Sequence, residues 1–111
     1  MKATVRHIGK IAVVDLSGKI TIGEGDVVLR ERVTELLEGG NQSLLLNLEK
    51  VSYMDSAGIG ELVACYKRAT EKEGTVKLLN PSGKVYDLLQ LTKLEEVFET
   101  FRDEKEALVS F

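Results

Sequence analysis

Ser43 to Tyr66 reads SLLLNLEKVSYMDSAGIGELVACY, and this stretch decides the fold. Ser43 to Leu48, with Leu44-Leu45-Leu46 inside it, is a short continuous apolar run between turn signals. That is the pattern of a central strand covered on both faces. Val51-Ser52-Tyr53-Met54 leads out of the strand, and a helix begins near Asp55-Ser56. The helical spacing of Ile59, Leu62, Val63 and Tyr66 predicts that these four are its buried face. Lys67, Arg68, Glu71, Lys72 and Glu73 form its wet side, and Gly74 ends it.

On the N-terminal side, Ala3 to Ile8 and Ile11 to Leu16 are β-compatible runs separated by Gly9-Lys10. Glycine at the first turn position suits a hairpin with a type II′ connection. Gly18 is expected to end the second run, and Thr21 to Asp26 reads as a loop in which Asp26 caps the next helix. That helix carries Leu29, Val33, Leu36 and Leu37 at helical spacing and stops at Gly39-Gly40.

On the C-terminal side, Thr75 to Leu79 is another strand, and Asn80-Pro81-Ser82-Gly83 is a turn into a short helix through Val85, Leu88 and Leu89. Val97 to Phe101 is expected to be a last edge strand. Asp103 with Glu106 makes a capping-box pattern for a terminal helix through Leu108. The order is β-β-α-β-α-β-α-β-α. It predicts an α/β fold with a mixed sheet, an antiparallel start followed by right-handed parallel crossovers.

The bulk properties narrow the function. At 111 residues the chain fits a single domain, 1–111, and 43% hydrophobic residues suffice for one core. A net charge of -3, with no basic run, argues against a nucleic-acid partner, which would need a basic face. The single cysteine, Cys65, cannot form an internal disulfide and reads as a small packing residue. Met1 to His7 lacks the apolar core of a signal peptide, and no stretch approaches the roughly 20 apolar residues of a membrane span. The expectation is a cytoplasmic protein without direct membrane contact.

Chemistry has few places to sit. Met54-Asp55-Ser56-Ala57-Gly58-Ile59-Gly60 joins a strand exit to the start of a long helix, where open α/β sheets carry their functional groups. Ser56 should be exposed there, and the unpaired N–H groups of a first helical turn tolerate an anion. Gly58 and Gly60 allow a close approach to the backbone and each cost about 1 kcal/mol of helix propensity relative to Ala. Two readings stay open: a functional serine, or an Asp55 or Ser56 N-cap with glycines that pack tightly on the sheet.

Other sites lack their parts. A serine hydrolase needs a base beside Ser56, and the one histidine, His7, lies in the opening hairpin. One Cys and one His far apart make no zinc site. Ile22-Gly23-Glu24-Gly25-Asp26 lacks the Lys-Ser/Thr ending of a phosphate loop. No enzymatic activity, no metal and no cofactor are expected.

Taken together, these residues resemble the STAS domain of bacterial anti-sigma factor antagonists. The likeness runs from Leu16-Ser17-Gly18-Lys19-Ile20-Thr21 through Leu45-Leu46-Asn47-Leu48 and Asp55-Ser56-Ala57-Gly58-Ile59-Gly60 to Leu78-Leu79-Asn80. Leu88-Leu89-Gln90-Leu91-Thr92-Lys93-Leu94, followed by Val97-Phe98, continues it, so nearly the whole chain is covered. The resemblance implies a sheet of four or five strands with about four helices, largely on one side.

It also implies partner switching. The unmodified antagonist binds an anti-sigma factor that doubles as a serine kinase and thereby frees the sigma factor. The kinase phosphorylates the motif serine, here Ser56, and the complex falls apart until a serine phosphatase resets it. Carried over by position, the expected partner contacts are Asp55, Ser56, Ala57, Gly58, Ile59 and Gly60, with Gly18, Ile20 and Thr21 after the second strand. Many relatives have a second hydroxyl residue where this chain has Ala57, and an acidic residue where it has Thr21. The alternative the resemblance leaves is a STAS subunit of a lipid transporter or a sensory complex, not acting through sigma.

Overall fold

Gly9 sets the first structural step. In the computed structural model, which describes residues 1–111, Gly9 has φ +60° while Lys10 does not enter positive φ. That combination is the type II′ signature. It pairs strands β1 (Lys2–Ile8) and β2 (Ile11–Ile20) antiparallel, with Ile8 opposite Ile11. Helix α1 (Gly25–Glu38), strand β3 (Ser43–Met54), helix α2 (Ser56–Glu71), strand β4 (Thr75–Leu79), helix α3 (Gly83–Leu91), strand β5 (Thr100–Phe101) and helix α4 (Glu104–Val109) follow. The five strands lie in sequence order, and every pair after the first is parallel. The expected alternation and mixed sheet are therefore present.

The sheet alternation sorts the core into two layers. Ala12, Val14 and Leu16 of β2 with Leu44, Leu46 and Leu48 of β3 face α1, α2 and α3, which contribute Leu29, Val33, Leu62, Cys65, Val85 and Leu89. Val13, Leu45 and Leu79 face the other way, against Ala107 of α4. Leu44-Leu45-Leu46 is thus buried on both faces, and each side chain removed from water contributes roughly 2 kcal/mol. Lys77 of β4 holds the small layer shut, because its ammonium donates to the Ser110 carbonyl at 2.8 Å and lies 4.8 Å from the Phe111 ring centroid. No helix is long and apolar enough to cross a membrane.

Several boundaries differ from the sequence expectation, each for a packing reason. β2 does not end at Gly18 but continues to Ile20. Gly18, at φ +108°, sits at a register irregularity where β3 advances two residues, Val51 to Tyr53, for one on β2. β3 correspondingly runs on to Met54, so the lead-out is itself strand. Asp26 is not the cap of α1. The N-cap is Glu24, and the Asp26 carboxylate accepts from the Val27 N–H at 2.8 Å inside the first turn.

Two further corrections concern the C-terminal half of the chain. β5 keeps only Thr100–Phe101 of the expected Val97–Phe101 strand, since Phe98 turns into the core and meets Tyr66 edge-on at 5.2 Å. In α2 the buried face is Gly58, Glu61, Leu62, Cys65 and Ala69, with Ile59, Val63 and Tyr66 only half-buried. Gly58, Cys65 and Ala69 give this face three small residues, and Gly58 lies directly against the Ile20 backbone. The Asp103 cap agrees with expectation, its carboxylate accepting from the Glu106 N–H at 3.3 Å.

Candidate functional site

The end of β2 and the start of α2 meet with almost no space between their backbones. A Cβ on Gly58 would lie 2.1 Å from the Ile20 carbonyl oxygen. One on Gly25 would lie 2.2 Å from the Lys19 carbonyl oxygen and 2.6 Å from Ile20 Cα. Glycines at the first turns of both helices therefore clamp the last residues of β2 from two sides. The tight-packing reading of Gly58 holds, and the surface that approaches it is the chain's own. Gly60 differs, because a Cβ there would meet nothing within 4 Å.

Asp55 joins the two segments. It is the N-cap of α2, with Oδ1 accepting from the Gly58 N–H at 2.9 Å. Oδ2 accepts from the Ile22 N–H at 3.0 Å, and the Asp55 N–H donates to the Ile20 carbonyl at 3.4 Å. One carboxylate thus ties the loop after β2 to the helix start that carries Ser56. The Ile22 N–H, and then the Gly58 N–H, hold the Asp55 carboxyl below the usual aspartate range. Asp15 is lowered too, first by the Arg6 guanidinium at 2.6 Å and further by the Asn47 amide at 2.8 Å.

A depressed carboxylate stabilises the fold in full above its unfolded value, and that contribution is lost as pH falls through the folded value. Urea midpoints are therefore expected to drop on acidification from about pH 5 towards pH 2. Asp55→Asn and Asp15→Asn should each flatten that drop. Unchanged pH profiles in both variants would contradict the two assignments.

Ser56 is the first residue of α2 and its side chain is exposed, as the sequence predicts. With Tyr53, Asp55, Ile59, Leu88 and Thr92 it lines a groove of about 470 Å³ between α2 and α3. The Ser82 hydroxyl at the N-cap of α3 donates to the Val51 carbonyl at 2.7 Å, which fixes α3 against the end of β3 and sets that groove. Of the other expected contact residues, Gly60 is exposed, while Asp55, Ala57, Ile59, Gly18 and Thr21 are half-buried. Gly58 and Ile20 are buried. The loop's exposed apolar residue is Ile22 instead.

One charged group escaped the sequence reading. Glu61 is only 8% exposed and bridges the two principal helices, accepting from Arg30 of α1 at 3.0 Å and from Arg68 of α2 at 2.5 Å. It falls in step with Gly58, Leu62 and Cys65, and that step was the available signal once the helix was phased on its small residues. Burial, and then the Glu61 charge, push the adjacent Cys65 thiol up to about 12, so it packs as a neutral thiol.

Comparison with known proteins agrees with this architecture. The family model for the STAS domain matches residues 2–107. The Bacillus subtilis anti-sigma-B factor antagonist is 35% identical over 86 residues, covering 78% of this chain and 77% of that protein. An anti-sigma factor antagonist from Mycobacterium paratuberculosis superposes with a TM-score of 0.84 at 20% identity, over 98% of this chain and 92% of that one. The Bacillus cell fate determinant SpoIIAA, solved in its phosphorylated form, superposes with a TM-score of 0.75 at 22% identity over 98% of each chain. A match over almost every residue, on a five-stranded sheet with this helix arrangement, leads to one conclusion: the chain belongs to the STAS-domain family.

Proposed function

We propose that this chain is an anti-sigma factor antagonist that acts by partner switching in the cytoplasm, with phosphorylation of Ser56 as the switch. The observation that carries the reading is the placement of Ser56. It is an exposed hydroxyl at the first position of α2, at the mouth of a partly apolar groove. The relative that is 35% identical is an antagonist of an anti-sigma factor, which supports the same kind of partner here. In this reading an anti-sigma factor with serine kinase activity covers the block Asp55 to Gly60, and a serine phosphatase restores the hydroxyl. Gly58 and Ile20, being buried, shape that surface from beneath.

The switch needs no rearrangement of the fold. A phosphoryl group brings about -1.5 to -2 charges at neutral pH. The free N–H groups and dipole at the start of α2 tolerate it within the isolated chain. Inside a dry interface the same group sits beside the Asp55 carboxylate, and desolvation with like-charge repulsion opposes binding.

The test starts with ATP-dependent phosphorylation of the wild-type chain by a purified host anti-sigma factor, followed by affinity measurements. Ser56→Ala should bind that protein as tightly as the wild type. Ser56→Asp should bind at least about 100-fold more weakly, the order expected for a like-charge contact costing several kcal/mol. Equal binding of both variants, or capture of a transporter subunit by both, would assign the chain to another STAS role.

A further inference from the structure

We infer that Ile22 is the apolar anchor with which the loop after β2 grips the anti-sigma factor, and that Asp55 positions it; the inference rests on the antagonist reading above. The family resemblance points to Gly18, Ile20 and Thr21 at the end of the second strand. The structure divides the two isoleucines: Ile20 is 0% exposed, whereas Ile22 is 74% exposed. A single exposed aliphatic side chain is ordinary on a protein surface. This one is distinguished by how firmly its backbone is held.

The Ile22 N–H donates to Asp55 Oδ2 at 3.0 Å, and the same carboxylate caps α2 through Gly58. On the preceding side, Ile20 is wedged between Gly58 and Gly25. On the following side, the Thr21 carbonyl accepts from Glu24 and Asp26 at 3.3 and 3.2 Å. Ile22 is therefore carried at the crest of a loop fixed at both ends, with its side chain in water. A rigid apolar residue of this kind costs little ordering when it docks, the property of an interface anchor.

Its location gives the anchor a target. Asp55 precedes Ser56 and itself lines the groove with Tyr53, Ile59 and Leu88, so the hydrogen bond from the Ile22 N–H ties the Ile22 loop to a residue of that groove. Tyr53 is itself 47% exposed. Ile22 and these groove residues are the apolar surfaces held next to the Asp55-Ser56 segment. A partner seated on them must offer a socket for a branched aliphatic side chain on the loop side. Ser56 lies within the area such a partner keeps dry, where a phosphoryl group is least tolerated.

The test uses the full chain and the purified anti-sigma factor that phosphorylates Ser56. Ile22→Ala should weaken binding more than tenfold with an unchanged thermal midpoint, and Ile22→Val should restore most of the affinity. Val109→Ala, at an exposed apolar residue of α4 on the opposite face, should bind like wild type. Asp55→Asn keeps the size but leaves one acceptor oxygen where two are used. It should speed hydrogen exchange at the Ile22 amide and weaken binding, and the loss should be smaller on the Ile22→Ala background than on the wild type.

Wild-type affinity in Ile22→Ala would overturn the anchor while leaving the antagonist reading intact. Unchanged exchange at the Ile22 amide in Asp55→Asn would overturn the positioning role. If no host anti-sigma factor binds or phosphorylates the wild-type chain, the antagonist reading fails and takes the anchor with it.

Discussion

Gly58→Ala is expected to destabilise the fold by roughly 2 kcal/mol, while Gly60→Ala, two residues further along the same helix, is expected to stabilise it by about 1 kcal/mol. Both substitutions gain the helix propensity of alanine. They part company over space. At Gly58 the new methyl carbon would lie 2.1 Å from the Ile20 carbonyl oxygen, a backbone atom that cannot swing aside. Overpacking against backbone costs around 3 kcal/mol at the severe end, from which the helix gain of about 1 is subtracted. At Gly60 nothing lies within 4 Å, so the propensity gain stands alone.

For a chain of about this size the Gly58→Ala loss corresponds to a thermal midpoint about 10 °C lower. Urea unfolding of the two variants beside wild type reads both effects, and shifts of the same sign would disprove the clamp. The pair also separates shape from contact in the proposed interface. Gly58→Ala should impair binding by moving Ile20 and the loop behind it. Gly60→Ala changes only the exposed surface, so a loss of affinity there would mark a direct contact.

The second large effect belongs to Glu61. Removing both of its partners, Arg30→Ala with Arg68→Ala, is expected to cost about 3 kcal/mol, because a carboxylate 8% exposed is left without a counter-charge. Each arginine alone should cost only about 1 kcal/mol, since the carboxylate still leans on the other. The double variant thus loses more than its parts. Glu61→Leu should cost less than the double, as two arginines that already reach solvent can turn outward and a leucine joins the stripe of Leu62 and Cys65. A double-mutant cycle in urea tests this, and strict additivity would show that the bridge contributes no coupling. α1 and α2 are the helices whose first turns clamp β2, so the bridge also steadies the spacing that holds the Ile22 loop.

Comparison of the residues with the folded chain shows where sequence reading works. The hairpin, the twice-buried Leu44-Leu45-Leu46 strand, the exposed Ser56 and the Asp103 cap each depend on a residue and its near neighbours, so local pattern suffices. The errors fall where distant segments touch. Gly18 looks like a stop, yet in the sheet it occupies an irregularity opposite β3. Asp26 has the composition of a cap, but Gly25 brings α1 in so close to Lys19 and Ile20 that the helix already begins there. Ile59, Val63 and Tyr66 stand out by size and spacing, while in the fold Gly58 lies against Ile20 and Glu61 reaches Arg30 of α1, which turns the helix onto Gly58, Glu61, Leu62 and Cys65.

The same division runs through the candidate site. Periodicity, turn chemistry and the block Asp55 to Gly60 were enough to define the order of elements, the mixed sheet and the serine at the head of the second principal helix, because covalent neighbours and helix ends govern those features. That the carboxylate of Asp55 reaches Ile22, that Ile20 is buried and Ile22 displayed, and that Glu61 spans two helices emerged only with the chain folded. The Asp55–Ile22 and Glu61–Arg30 contacts join residues 33 and 31 positions apart, and Ile20 is covered by Gly58, farther still along the chain, all brought together by a parallel sheet whose packing no local pattern records.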